Sequence, residues 1–188
     1  MAKYHIYTDG SSRGNPGAGG WGMIVMNEEG SEILFLEHDT ENPTTNNRME
    51  LKAMICALGY AESHPQDQFT IYSDSAYVVN SCNQWMRNWA ANGWRNSKKQ
   101  EVENIDCMKA IWSYISRPFF NAEIIKCNGH AGELGNELAD AIATSHWNKY
   151  KELVSYWNIQ EPIEQPETLS LWELKQNLKI GENWFPID

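Results

Sequence analysis

The chain reads as an α/β protein, a mixed sheet with helices packed on it. Two observations carry this. Three strand-like runs, Lys3–Thr8, Trp21–Asn27 and Glu32–His38, follow one another with short connections, which predicts an antiparallel meander. Two later β runs, Phe69–Ser73 and Ala122–Cys127, alternate with helix-period stretches, the pattern of helices laid over a sheet with parallel strands.

Each element has a local reason. Lys3–Thr8 alternates apolar and polar residues and ends at Asp9, and Gly10–Gly20, rich in Gly, Ser and Pro, reads as a loop. Glu28-Glu29-Gly30 turns the second strand into the third. Thr44–Ala61 has helical periodicity, with Met49, Ala53, Ile55, Cys56 and Leu58 among its apolar positions, and Pro65 with Gln66-Asp67 breaks it. Ser75–Cys82 is helix-like, and Asn83–Asn96 is rich in Trp. Glu101–Ser116 is an amphipathic helix that Pro118 closes. Gly129–Gly135 reads as a loop and Asn136–Trp147 as the last core helix. Residues 1–146 are therefore read as one domain. Residues 147–188 are read as a C-terminal extension: an acidic, Pro-containing linker at Glu161–Glu167, a short helix over Thr168–Leu178, and an apolar end at Trp184-Phe185-Pro186. Packing onto the domain is its expected role, with a partner-binding peptide as the alternative.

At 188 residues the chain is long enough for a core that needs no staples. Hydrophobic residues make up 41% and mean hydropathy is −0.58, and no apolar run is long enough to span a bilayer. The first residues run straight into a strand, leaving no room for a signal peptide. Cys56, Cys82, Cys107 and Cys127 are widely separated, which argues against zinc and a disulfide scaffold and for reduced thiols in a cytoplasmic protein. A monomer with no membrane partner is expected. The net charge of −10 and pI of about 4.9 argue, taken alone, against nucleic acid as a partner, since such proteins are usually basic.

Four acids stand out. Asp9 and Asp74 each end a β run, and Glu50 and Asp140 lie inside helix-period stretches. A carboxylate at a strand end or on an inner helix face is costly to bury unless something positive neutralises it. Four of them in one domain point to a hard cation with oxygen ligands.

Their flanks carry more information. Thr8-Asp9-Gly10-Ser11, Gly14-Asn15-Pro16-Gly17, Thr44-Thr45-Asn46-Asn47-Arg48-Met49-Glu50-Leu51, Ser73-Asp74-Ser75, and Gly129-His130-Ala131-Gly132 with Asn136-Glu137-Leu138-Ala139-Asp140 occur in this order. The set resembles bacterial ribonuclease H of type 1 over roughly residues 3–146. That resemblance implies the ribonuclease H-like fold, a five-stranded mixed sheet flanked by helices. It implies an endoribonuclease that cuts the RNA strand of RNA–DNA hybrids by two-metal-ion catalysis, leaving 5′-phosphate and 3′-hydroxyl ends. The ions would be Mg²⁺, with Mn²⁺ also accepted by carboxylates. In the same reading Asp9 bridges both ions, Asp140 joins it on one, and Glu50 and Asp74 complete the other. His130 would shuttle protons or help release product. Asn15, Asn46 and Asn47 would contact the RNA strand, Thr45 a phosphate, and Tyr77, Trp85 and Trp89 the DNA strand. Plainer readings stand beside these: Asn15 as a turn residue, Asn46 as the helix cap, Trp85 and Trp89 as core, and Arg48 as an anchor of its loop.

The chain departs from the family pattern in its Trp-rich stretch. Where relatives run Trp-Lys-Lys-Arg-Gly-Trp, this sequence has Trp89-Ala90-Ala91-Asn92-Gly93-Trp94. Ala76 and Pro43 also replace residues common in the family. These changes leave the chemistry intact and predict weak, salt-sensitive hybrid binding resting on a small local basic surface. The competing classes are a transposase, integrase or resolvase with a related acidic site, an inert hybrid-binding module, and the RNase H segment of a reverse transcriptase.

Overall fold

The structure is a computed structural model that describes residues 1–128 and 133–162. His130, the linker beyond residue 162, the helix expected over Thr168–Leu178 and the apolar end at Trp184-Phe185-Pro186 lie outside the described residues.

Five strands form one sheet in the order β3-β2-β1-β4-β5. They are β1 (Lys3–Ser12), β2 (Gly17–Asn27), β3 (Ile33–Thr44), β4 (Gln68–Ser73) and β5 (Ala122–Lys126). The first three make the antiparallel meander, and β4 and β5 add in parallel beside β1. The helices are α1 (Asn46–Glu62), α2 (Ala76–Asn80), α3 (Met86–Ala91), α4 (Ile105–Ile115), α5 (Leu134–Ala143) and α6 (Trp147–Tyr156), with a π-helical turn at Ser81–Trp85 between α2 and α3.

Strand alternation divides the core. On β2, Trp21, Met23 and Val25 point to the side of α1, where they pack with Met49, Leu51 and Met54. Ile24 and Met26 point the other way and pack with Leu138 and Ile142 of α5 and with Tyr150 and Val154 of α6. The site lies where α1 and α5 approach the same end of β1 from opposite faces.

Several boundaries differ from the sequence reading: β3 runs on to Thr44 rather than His38, staying paired with β2 through Asp39, Thr40 and Glu41, and three others have a physical reason in nearby residues. The loop expected over Gly10–Gly20 shrinks to residues 13–16, because β1 runs on to Ser12 and β2 starts at Gly17. Gly19, Gly20 and Gly22 are there because neighbours press against the strand: a β-carbon on Gly20 would lie 2.3 Å from the Ala143 carbonyl oxygen. The amphipathic helix begins at Ile105, not Glu101, because Asn104 takes a left-handed conformation at φ 54°. The last helix is two helices, broken at Ser145 with φ 58°. The boundary read after residue 146 falls in that break. Beyond it, Tyr150, Val154 and Ile159 are buried in the same cluster as α5, and the Ile33 N–H donates to the Gln160 carbonyl at 2.8 Å.

Candidate active site

Parallel register brings the first two acids together. Thr8 of β1 pairs with Ser73 of β4, so Asp9 and Asp74 follow at adjacent positions. The third comes from α1. Thr45 caps this helix, its side chain accepting from the Arg48 N–H at 3.2 Å, and Asn46 is its first residue rather than its cap. Glu50 then lies over Gly10. A β-carbon on Gly10 would lie 2.3 Å from the Met49 carbonyl carbon and 2.4 Å from the Glu50 nitrogen, so only glycine admits the helix here.

One carboxylate oxygen from each of Asp9, Glu50 and Asp74 falls within 4.8 Å of the others. Asp9 and Glu50 are buried, 6% and 8% exposed. Burial, then the neighbouring Asp74, pushes the Asp9 carboxyl up to about 8. Burial and the Asp9 charge push Glu50 well above the usual carboxylate range. Glu50 Oε2 is buried with no hydrogen-bond partner. Asp140 acts on Asp9 from α5 on the other side, and its own carboxylate lies 3.9 Å from Lys149 Nζ. The four predicted carboxylates therefore converge, three of them tightly and Asp140 at the more exposed edge.

This arrangement fits a divalent cation. The donors are all oxygens, which suits a hard ion. A buried carboxylate oxygen with no hydrogen-bond partner and two carboxyls held above the usual carboxylate range are features a positive charge at this point would offset.

The other predicted residues occupy distinct places. Asn15 and Asn46 interlock: Asn15 Oδ1 accepts from the Asn46 N–H at 2.9 Å, and Asn46 Oδ1 accepts from the Ser12 N–H at 2.6 Å. This ties the β1–β2 turn to the start of α1. Asn47 is exposed beside them. Arg48 faces away, its guanidinium bonded to both Asp106 oxygens at 3.0 and 2.5 Å and near Glu41 at 3.6 Å. It anchors α1 to α4 and β3, as the plainer reading had it. Tyr77 is half-buried, and its hydroxyl accepts from Asn104 Nδ2 at 3.2 Å. Trp85 is exposed, whereas Trp89 packs partly against the core, with ring centroids 5.9 Å apart. Gly10, Asp106 and Lys149 were not singled out by sequence reasoning. Only Gly10 carried a signal, its place between Asp9 and Ser11.

The sequence model of RNase H matches residues 1–148. The chain belongs to the RNase H family. It is 44% identical over 143 residues to a ribonuclease H of Alcanivorax borkumensis, covering 76% of this chain and 90% of the relative. A ribonuclease H of Legionella pneumophila is 42% identical over 141 residues, covering 75% and 94%. The solution structure of the PFV RNase H domain superposes with a TM-score of 0.67 at 26% identity, covering 77% of this chain and 94% of that one. The RNase H match takes in all four acids and the Asn15–Asn46 junction, and it ends at residue 148, within the first turn of α6.

Proposed function

We infer that the protein is a divalent-metal-dependent endoribonuclease that hydrolyses the RNA strand of RNA–DNA hybrids, leaving 5′-phosphate and 3′-hydroxyl ends. The observation that carries this is the convergence of Asp9, Glu50 and Asp74 within 4.8 Å in a chain of this family. Two Mg²⁺ ions per site, with Mn²⁺ as a substitute, are proposed to be held by these three and Asp140.

When bound, the ions supply nucleophile activation and charge stabilisation for an in-line displacement at phosphorus. The residues do the rest. Asp9, which interacts with all three of the other acids, is proposed as the shared ligand. Glu50 and Asp74 complete one side, and Asp140 the other. Gly10 lets α1 close onto β1 and fixes Glu50 against Asp9. Asn15, Asn46 and Asn47 would meet the RNA strand, whose 2′-hydroxyls separate it from DNA. Thr45 is proposed to contact a phosphate while it caps α1. Tyr77, Trp85 and Trp89 are proposed for the DNA strand, with the exposed Trp85 presenting its ring most openly. His130 is proposed as the proton shuttle. A cytoplasmic monomer is the proposed working state, in keeping with four buried cysteines that form no disulfide.

The test is cleavage. The protein with Mg²⁺ should cut the RNA of an RNA–DNA hybrid and leave double-stranded RNA, single-stranded RNA and double-stranded DNA intact. Cleavage of double-stranded DNA at a comparable rate would favour a transposase-like relative instead.

A further inference from the structure

A cleft of about 410 Å³ opens beside the carboxylates, between the ends of β1, β2 and β3 and the turn after α5. Its floor is small. Ser11 pairs with Gly20 and Gly20 with Thr40, so the three share a face of the sheet. That face belongs to α5, as the contact between Gly20 and the Ala143 carbonyl shows. Asp9 is two residues before Ser11 and so points to the same face, ~7 Å back along the strand. On the opposite wall, Thr144 Oγ1 donates to the Asp140 carbonyl at 2.8 Å, one helical turn on from that acid. β1 and α5 therefore run side by side from the carboxylates into the cleft.

Charge changes sign along them. Asp9 and Asp140 stand at one end, and Arg13 and His146 line the cleft at the other. Both are exposed, and Arg13 forms no ion pair among the described residues. The His146 Nδ1 lies 3.1 Å from Thr144 Oγ1, which leaves the other edge of the ring for a ligand. The acid in the lining, Glu41, is ion-paired with Lys52 and Arg48. A guanidinium, an imidazole edge and hydroxyls within reach of a phosphodiester-cutting centre suit the next anion along the same backbone.

The strand is fixed by the neighbours of Arg13. Ser12, adjacent to it, bonds Asn46 through its N–H and Asn15 through its hydroxyl, the latter at 3.0 Å. These are the amides proposed to read RNA. We propose that Arg13 and His146 form a subsite for a backbone phosphate of the RNA strand flanking the bond that is cut. The subsite rests on the hybrid-cleaving reading. It supplies a local basic surface to a chain of net charge −10.

The experiment uses hybrids with one defined cut site and a single uncharged methylphosphonate linkage moved along the RNA. With the unmodified protein, one flanking position should raise KM roughly three- to tenfold, the loss of one phosphate contact. With Arg13→Gln/His146→Gln, KM on the unmodified hybrid should rise by a similar factor with kcat within about twofold, and the methylphosphonate at that position should add nothing further. Arg13→Lys should restore most of the loss. Additive losses in the double variant would overturn the subsite. So would a scan in which no flanking linkage matters to the unmodified protein, a result that needs no variant to fold. Failure of the unmodified protein to cut the unmodified hybrid would instead remove the hybrid-cleaving reading, and the subsite with it.

Discussion

Gly10 and Glu50 touch through their backbones: a β-carbon at Gly10 would sit 2.4 Å from the Glu50 nitrogen. The distance between β1 and α1, and so between Asp9 and Glu50, is set by the absence of a side chain. Gly10→Ala should push the first turns of α1 outward. Overpacking of this kind costs about 1–3 kcal/mol, and a displacement near 1 Å can lower turnover ~10²-fold. Urea unfolding and single-turnover cleavage would measure both. Gly59→Ala is the control, since its β-carbon would meet only the Tyr114 side chain, its hydroxyl at 3.4 Å and Cζ at 3.9 Å. That variant should stay active and gain up to about 1 kcal/mol from helix propensity.

Metal-free stability should fall as pH rises. Asp9 moves from an ordinary 3.8 in the unfolded chain to about 8 in the fold, so between these values the native state binds more protons. Stability therefore decreases with pH across that window. Mg²⁺ competes with the same protons. Its upward shift of the thermal melting temperature should be larger at pH 8.5 than at pH 5.5. Asp9→Asn should flatten the metal-free profile and reduce the Mg²⁺ shift. An identical Mg²⁺ shift in both proteins would place the ion elsewhere.

Added cations on α3 should tighten hybrid binding. Ala91 is exposed and Ala90 half-buried on this short helix, which follows the exposed Trp85. Ala90→Lys/Ala91→Lys should lower KM with kcat unchanged, because ground state and transition state gain alike. The slope of log affinity against log salt should steepen by roughly 0.9 per new phosphate contact. An unchanged slope would turn α3 away from the substrate.

The segment after α5 has two parts that truncation should separate. Ending the chain after Pro162 keeps Ile159 buried and the Gln160 carbonyl bonded to Ile33, and cleavage should persist. Ending it after His146 removes buried Tyr150, Val154 and Ile159. Each such side chain is worth up to roughly 1.5–3 kcal/mol, so this shorter chain should be destabilised by several kcal/mol in chemical denaturation.

Much of this arrangement was legible in the sequence. Asp9 and Asp74 each close a β run, and parallel pairing of Thr8 with Ser73 makes them neighbours as soon as both runs are taken as strands. Alternation on β2 gives both faces of the core. The length of the β1–β2 hairpin was hidden, because Gly19 and Gly20 read as loop residues when they are strand positions that α5 and β3 crowd. The break between α5 and α6 was hidden too, since Ser145 enters the left-handed region with no Gly to announce it. Thr45 and Asn46 are both good caps by type, and only the hydrogen bond to Arg48 chooses Thr45. The Arg48–Asp106 pair joins residues 58 apart, a distance at which spacing says nothing. His130 and the last 26 residues lie outside the described structure and keep their sequence reading alone.

Asp9, Glu50, Asp74 and Asp140 are proposed to act together on the RNA of a hybrid. The most direct test is one gel: an RNA–DNA hybrid with each strand separately labelled, incubated in Mg²⁺ with the protein and with a folded Asp9→Asn variant. The protein should give short RNA products carrying 5′-phosphates, an intact DNA strand and loss of cutting with chelator, and Asp9→Asn should give no detectable products. Undiminished RNA cleavage by Asp9→Asn, or cleavage that persists without divalent metal, would contradict this joint action.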